Sequence, residues 1–172
     1  YLDLEFLGKL PGRKILVRGN HDLWWQGIGK VRKVLPPGME AIQNGHILLK
    51  EGIAICGTRG WTCPGEKNFT AEDNKIFQRE LGRLRLSLSS IKEKAKEIIV
   101  MLHYPPTNGK HEISGFIELL QEFGVKYCVY GHLHSESIKG ALPEEKWGIK
   151  FYLVSADAID FSPKLIYTVG EK

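Results

Sequence analysis

Three short stretches of this 172-residue chain put imidazole beside amide or carboxylate oxygen: "GNHD" at Gly19–Asp22, "LHYPP" at Leu102–Pro106 and "GHLH" at Gly131–His134. Such nitrogen and oxygen donors suit borderline divalent metals such as zinc, manganese and iron. The candidate donors are Asn20, His103, His132 and His134. Asn20 and His21 are neighbours, so their side chains diverge, and one can hold a metal while the other faces a substrate. Asp22 can accept the second ring proton of a histidine and so fix its tautomer. His132 and His134 share a face on an extended strand, but a turn at the strand end would send them to two ions. Taken singly, each stretch is weak: a lone Gly-Asn-His-Asp is mostly a turn. Their conjunction, each following an apolar run and separated by helical patterns, is what points to one site.

The elements that must position these residues can be read from pattern. Asp3–Leu10 reads as a helix ended near Pro11-Gly12, and Lys14–Val17 as a short buried strand. The segments 39–43, 46–50 and 53–57 read as a meander, with Asn44-Gly45 suited to a type I′ hairpin. Thr70, with Asp73 three residues on, caps a long helix. Phe77, Leu81, Leu84, Leu88, Ile91 and Ala95 form its apolar stripe, while Arg79, Glu80, Arg83, Arg85 and Lys92 lie mostly off it. Glu97–Leu102 is a strand closing on His103, followed by a loop of turn formers. A second amphipathic helix uses Ile113, Phe116, Ile117, Leu120 and Phe123, and Gly124 stops it. Strands follow at 125–130, within 148–157 and at 164–169. The class is α/β, and in open α/β sheets ligands gather at the carboxyl ends of the strands.

At 42% hydrophobic and 26% charged, the chain reads as one globular domain over residues 1–172. A net charge of +4, with its lysines and arginines scattered, gives no basic patch, so nucleic acid enters only as a possible substrate. No apolar run is long enough to span a bilayer. The first residues carry acids where a signal peptide would be basic. Cys56, Cys63 and Cys128 have the odd count and loose spacing of packed thiols in a reducing compartment. A cytoplasmic protein without a membrane partner is the expectation.

The three stretches resemble the third, fourth and fifth blocks of the calcineurin-like metallophosphoesterases, in the family's order, over a span from Leu16 to Asp157. In finer detail "GNHDLWW" at Gly19–Trp25 and "CGTRGW" at Cys56–Trp61 resemble uncharacterised bacterial phosphohydrolases. The resemblance implies mixed β-sheets flanked by helices, as part of a four-layer αββα sandwich. It also implies a phosphoester hydrolase that uses two divalent metal ions, drawn from Mn, Fe, Zn or Mg. Asn20, His103 and His132 would hold one ion and His134 the other. The ions would neutralise the phosphate and acidify a bridging water, whose hydroxide attacks phosphorus in line. His21 would protonate the leaving group, with Asp22 orienting it. Arg59 could reach a phosphate with its bidentate fork, and His111 could touch substrate from the loop after His103; a turn-capping arginine and a solvated loop histidine are their plainer readings.

The family's upstream blocks, an Asp-x-His and a Gly-Asp-x-x-Asp that supply the bridging carboxylate, are not among the residues before Gly19. An N-terminally truncated phosphoesterase domain, weakly active or inactive by itself, is therefore expected; a partner chain could supply the missing strands and carboxylates. The competing reading is a non-catalytic binding or scaffold protein that keeps the fold. A metal-dependent amidohydrolase fits less well, because its His-x-His belongs to the first strand. Aspartate at position 22, rather than glutamate, is closer to the phosphodiesterase and general phosphohydrolase branches than to the protein phosphatases.

Overall fold

A computed structural model describes residues 2–92 and 94–170. Helix α1 (Leu2–Lys9) leads into strand β1 (Lys14–Leu16), helix α2 (Ile28–Val34) and strand β2 (Met39–Ala41). Strands β3 (His46–Leu48) and β4 (Ile53–Thr58) follow, then the long helix α3 (Ala71–Ser89). The rest is β5 (Glu97–Leu102), α4 (Gly115–Glu122), β6 (Tyr127–Tyr130), β7 (Glu145–Lys146) and β8 (Ile149–Leu153), with single 3₁₀ turns at Ser135–Gly140 and Ala156–Ile159. One sheet pairs β1 with β2; the other runs β3-β4-β5-β6-β8-β7. Its central strands β4, β5, β6 and β8 are parallel, and antiparallel β3 and β7 close the two edges.

The layers follow from strand alternation. On β4 and β5, Ile53, Ile55, Ile99 and Met101 face one way and meet Ile15 and Val17 of the small sheet. Cys56, Val100 and Leu102 face the other way, under Phe77, Leu84 and Leu88 of α3 and Phe116 and Leu120 of α4. Beyond the small sheet, Val31 and Ile28 of α2 pack on Leu16 and Ala41 with Trp25. The stack is therefore helix, small sheet, large sheet, helices: a mixed α/β arrangement with the layer order of a phosphoesterase sandwich. Among the described residues no helix is long and apolar enough to cross a membrane.

Local rules account for several elements. Thr70 and Asp73 form a reciprocal capping box at α3. The Ser114 hydroxyl accepts from the Phe116 and Ile117 amides to open α4, and Gly124 stops it with a φ of 66°. Cys56, Cys63 and Cys128 are buried and unbridged, and burial pushes the first two thiols up to about 11 and about 12.

Four expectations need correction. The meander is replaced by a β1-α2-β2 unit: α2 turns the chain back, so β2 runs parallel to β1 and leaves β3 to pair with β4 alone. The hairpin lies at Glu51-Gly52, not at Asn44-Gly45, where only Asn44 takes a positive φ, of 60°. Residues 164–169 form no strand among the described residues; Tyr167 instead packs edge-on against Tyr127, 5.3 Å away, because β propensity is expressed only beside an available strand edge. Helix α3 ends at Ser89, before Ile91 and Ala95, and Glu80 is fully buried on its inner face.

Gly57 is hemmed in by its neighbouring strand β5 and, across the layers, by Val17. A Cβ there would lie 2.3 Å from the Met101 carbonyl oxygen and 3.0 Å from a Val17 methyl. Gly57→Ala is therefore expected to destabilise the fold by about 3 kcal/mol, measured by urea unfolding. A loss below about 0.5 kcal/mol would show that the β4–β5 backbone can yield at this position.

Candidate metal centre

The parallel strands end side by side, and their backbone pairing continues into the loops. The Arg59 carbonyl accepts from the amides of His103 (3.0 Å) and Tyr104 (2.9 Å), and the His103 carbonyl accepts from Gly131 (3.1 Å). His103 is thereby set between the ends of β4 and β6, and His132 stands next to it. His132 holds a φ of 69° and Ser135 one of 51°. Left-handed conformations in non-glycine residues gather at functional sites. Across the cleft, the Gly19 amide donates to one Asp22 oxygen (2.6 Å) and the Trp24 indole to the other (3.2 Å). A Cβ on Gly19 would come within 3.3 Å of His103 Nδ1, so glycine lets this turn lie against the imidazole.

Three donor atoms converge. His103 Nε2 lies 2.7 Å from Asn20 Oδ1 and 3.2 Å from His132 Nδ1. Ligands at right angles on an ion with bonds of about 2.1 Å stand about 3.0 Å apart, so Asn20 Oδ1 and His132 Nδ1 each stand at a distance from His103 Nε2 that one divalent cation could span. Among the described residues no three His, Cys, Asp or Glu side chains group to hold a metal; the third donor here is a carboxamide, and all three are neutral. Burial, helped by His132, pushes His103 down to about 4 against the opposing pull of Asp22. Burial, then His134 and His21, also lowers His132. Both rings therefore keep lone pairs for a cation at neutral pH. For His103 the linkage has one sign: its contribution to stability is full above the free-histidine range and is lost as the pH falls toward about 4.

A cleft of about 310 Å³ connects Asn20, His21, Asp22, His103, His132 and His134. His21 is exposed beside it. Asp22 spends its oxygens on Gly19 and Trp24 and makes no hydrogen bond to His21; its work is to hold the turn. His134 lines the same cleft and is exposed. Its Nδ1 is 2.8 Å from Asp157 Oδ1, and Asp157 Oδ2 accepts from the Ser135 amide at 2.8 Å. A carboxylate on one ring nitrogen leaves the other free as a ligand. The bonds from Ser135 and then His134 hold Asp157 below the usual carboxylate range.

Arg59 and His111 do not line this cleft. Arg59 stacks on Trp61, 4.5 Å from the ring centroid, and pairs with Glu80 at 3.4 Å. His111 places Nε2 2.9 Å from the Gly140 carbonyl. Sequence alone assigns Glu80 and Tyr104 no role at the site and Asp157 only a turn cap. Glu80 had a signal, since it falls three residues after Phe77 and four before Leu84, on the stripe itself. Its carboxylate accepts from Thr58 (2.6 Å) and Arg83 (2.8 Å) as well as Arg59. The loop whose carbonyl fixes His103 is thereby tied to α3.

Removing one partner from a buried ion network strands the others. Glu80→Ala is expected to cost about 3 kcal/mol, with Glu80→Gln milder because it still accepts from Thr58. Urea unfolding of both variants checks this, and an Ala variant within about 0.5 kcal/mol of wild type would contradict it.

The sequence model of the calcineurin-like phosphoesterase family matches residues 1–136. That span includes Asn20, His103, His132 and His134. No curated protein and no solved structure matches the chain. With most of its length matched, and the matched part carrying the three converging donors, this chain belongs to the calcineurin-like phosphoesterase family.

Proposed function

We propose that this cleft is the metal- and phosphoryl-binding part of a metal-dependent phosphoester hydrolase. The observation that carries the reading is the convergence of Asn20 Oδ1, His103 Nε2 and His132 Nδ1 at 2.7 and 3.2 Å. These three would hold one divalent ion, and His134, oriented by Asp157, would serve a second. Bound cations would neutralise phosphoryl oxygens and acidify a water. His21, exposed at the cleft, would give its proton to the departing oxygen. Asp22 acts on the site through the Gly19 turn, which keeps Asn20 facing His103. Arg59 and His111 have no contact that supports a role with substrate; Arg59 serves by holding the His103 backbone.

The donors are neutral, so two cations in this cleft would repel each other without a bridging carboxylate. The reading therefore extends to carboxylates supplied from outside the 172 residues, whether by further chain or by a partner, and assigns these residues alone little turnover. A scaffold protein has no need for His21, which separates the two readings. With manganese added, hydrolysis of glycerol 2-phosphate and other alkyl phosphate esters, whose leaving oxygen needs a proton, is expected to be slow and metal-dependent. His21→Ala should lower it by about 100-fold or to background, and His132→Ala should abolish it. Turnover that persists in a chelator, or that ignores both substitutions, would contradict the proposal.

A further inference from the structure

A second cleft, of about 420 Å³, opens beside the metal centre and shares His132 with it. Its size is that of a small-molecule site. Its walls are the loops that follow β4 and β5, and these are fastened together. The buried Asn108 donates to the Pro64 carbonyl (2.9 Å) and to Glu112 (2.6 Å), and its own oxygen accepts from the amides of Lys110 (3.1 Å) and Glu112 (3.2 Å). The Gly109 amide donates to Glu66. Gly65, at a φ of 94°, passes so close that a Cβ would lie 2.5 Å from Asn108 Nδ2. The cleft is thus preformed.

Its chemistry is selective. Tyr104, part of the lining, lays its ring against His132, with centroids 4.1 Å apart and planes at 33°. Thr62, Thr107 and Asn68 add two hydroxyls and an amide. The charged lining is Glu66, Asp73 and Lys67, two acids against one base. Both Asp73 oxygens are occupied, by the Trp61 indole at 3.1 Å and the Thr70 amide at 2.9 Å, whereas among the described residues Glu66 receives only the Gly109 amide. Lys67 and Asn68 are exposed and carry no side-chain hydrogen bond among the described residues. An anionic leaving group would meet two carboxylates here. A neutral alcohol with several hydroxyls would find an amide, hydroxyls and a carboxylate oxygen to bond, over an aromatic floor.

We propose that this cleft receives the leaving group of the phosphoester, and that this group is an uncharged, sugar-sized polyol. The assignment rests on the hydrolase reading, because only then does a phosphoryl group sit at His132. Lys67 then faces the ester's own charge, and Asn68 and Glu66 set specificity.

The test is NMR mapping of ribose 5-phosphate and ribose 1,5-bisphosphate on the ¹⁵N-labelled 172-residue chain, alongside hydrolysis of the monophosphate. Ribose 5-phosphate is expected to shift the amides of Thr62, Asn68, Tyr104 and Thr107. Asn68→Ala should weaken it about fivefold. Glu66→Gln, which still accepts from Gly109, should strengthen the bisphosphate about threefold over wild type. Shifts confined to residues 19–22 and His103, an Asn68→Ala variant that binds as wild type, or a wild-type preference for the bisphosphate would each overturn the proposal. Shifts at Asn68 that are as large with free ribose as with ribose 5-phosphate, with none at Gly131–His134, would keep a polyol site and remove its role as a leaving-group pocket. Hydrolysis with an unchanged KM in Asn68→Ala would remove the polyol site and leave the hydrolase.

Discussion

The carbonyl of Arg59 accepts two amides, and the cleft depends on it. Those bonds, from His103 and Tyr104, fix where the His103 backbone leaves β5. The His103 carbonyl then takes the Gly131 amide, which sets His132 alongside. Arg59 is itself held from the side by Glu80 and by the face of Trp61. A buried carboxylate on α3 is thereby connected, through one arginine and one carbonyl, to a candidate metal ligand. The same loop region carries Tyr104 into the second cleft, against the ring of His132. Pairing between parallel strands, continued a residue past their ends, turns a generic sheet into a donor array.

The other half of the array comes from a separate sheet. β1 pairs only with β2 and delivers Asn20 from across the sandwich. The two sheets can bring Asn20 Oδ1 to 2.7 Å from His103 Nε2 because Gly57 and Gly19 leave no Cβ between layers or against the imidazole. Small residues at those two places are packing constraints whose effect is felt at the site. Left-handed backbone occurs at His132 and Ser135 on the loop that carries His134, and at five other non-glycine positions among the described residues.

Much of this was legible in the residues. The apolar run 97–102 ends at His103 as expected, and the Thr70–Asp73 capping box opens α3. The three histidine-bearing stretches read as strand ends, and they meet. What escaped has physical reasons. Helix α2 is only seven residues long, with Gly27 at its cap and no side-chain cap bond; without it, β2 looked like a neighbour of β3. Glu80 was set aside for its charge although its spacing placed it on the buried stripe; only the structure shows Thr58, Arg59 and Arg83 meeting it. Asp157 lies twenty-three positions from His134, and no local pattern links them. The segment 164–169 has strand-like residues, but strand formation depends on a partner edge that local sequence does not reveal.

Under the proposed function, Asn20, His103 and His132 share one cation. The decisive experiment is titration of the labelled chain with manganese, followed by paramagnetic broadening of the histidine ring signals. The His103 and His132 rings are expected to broaden first and together, while His46 and His111, which lie outside the cleft, broaden last. Broadening that begins at His46 or His111, or that reaches all six histidines equally, would contradict it.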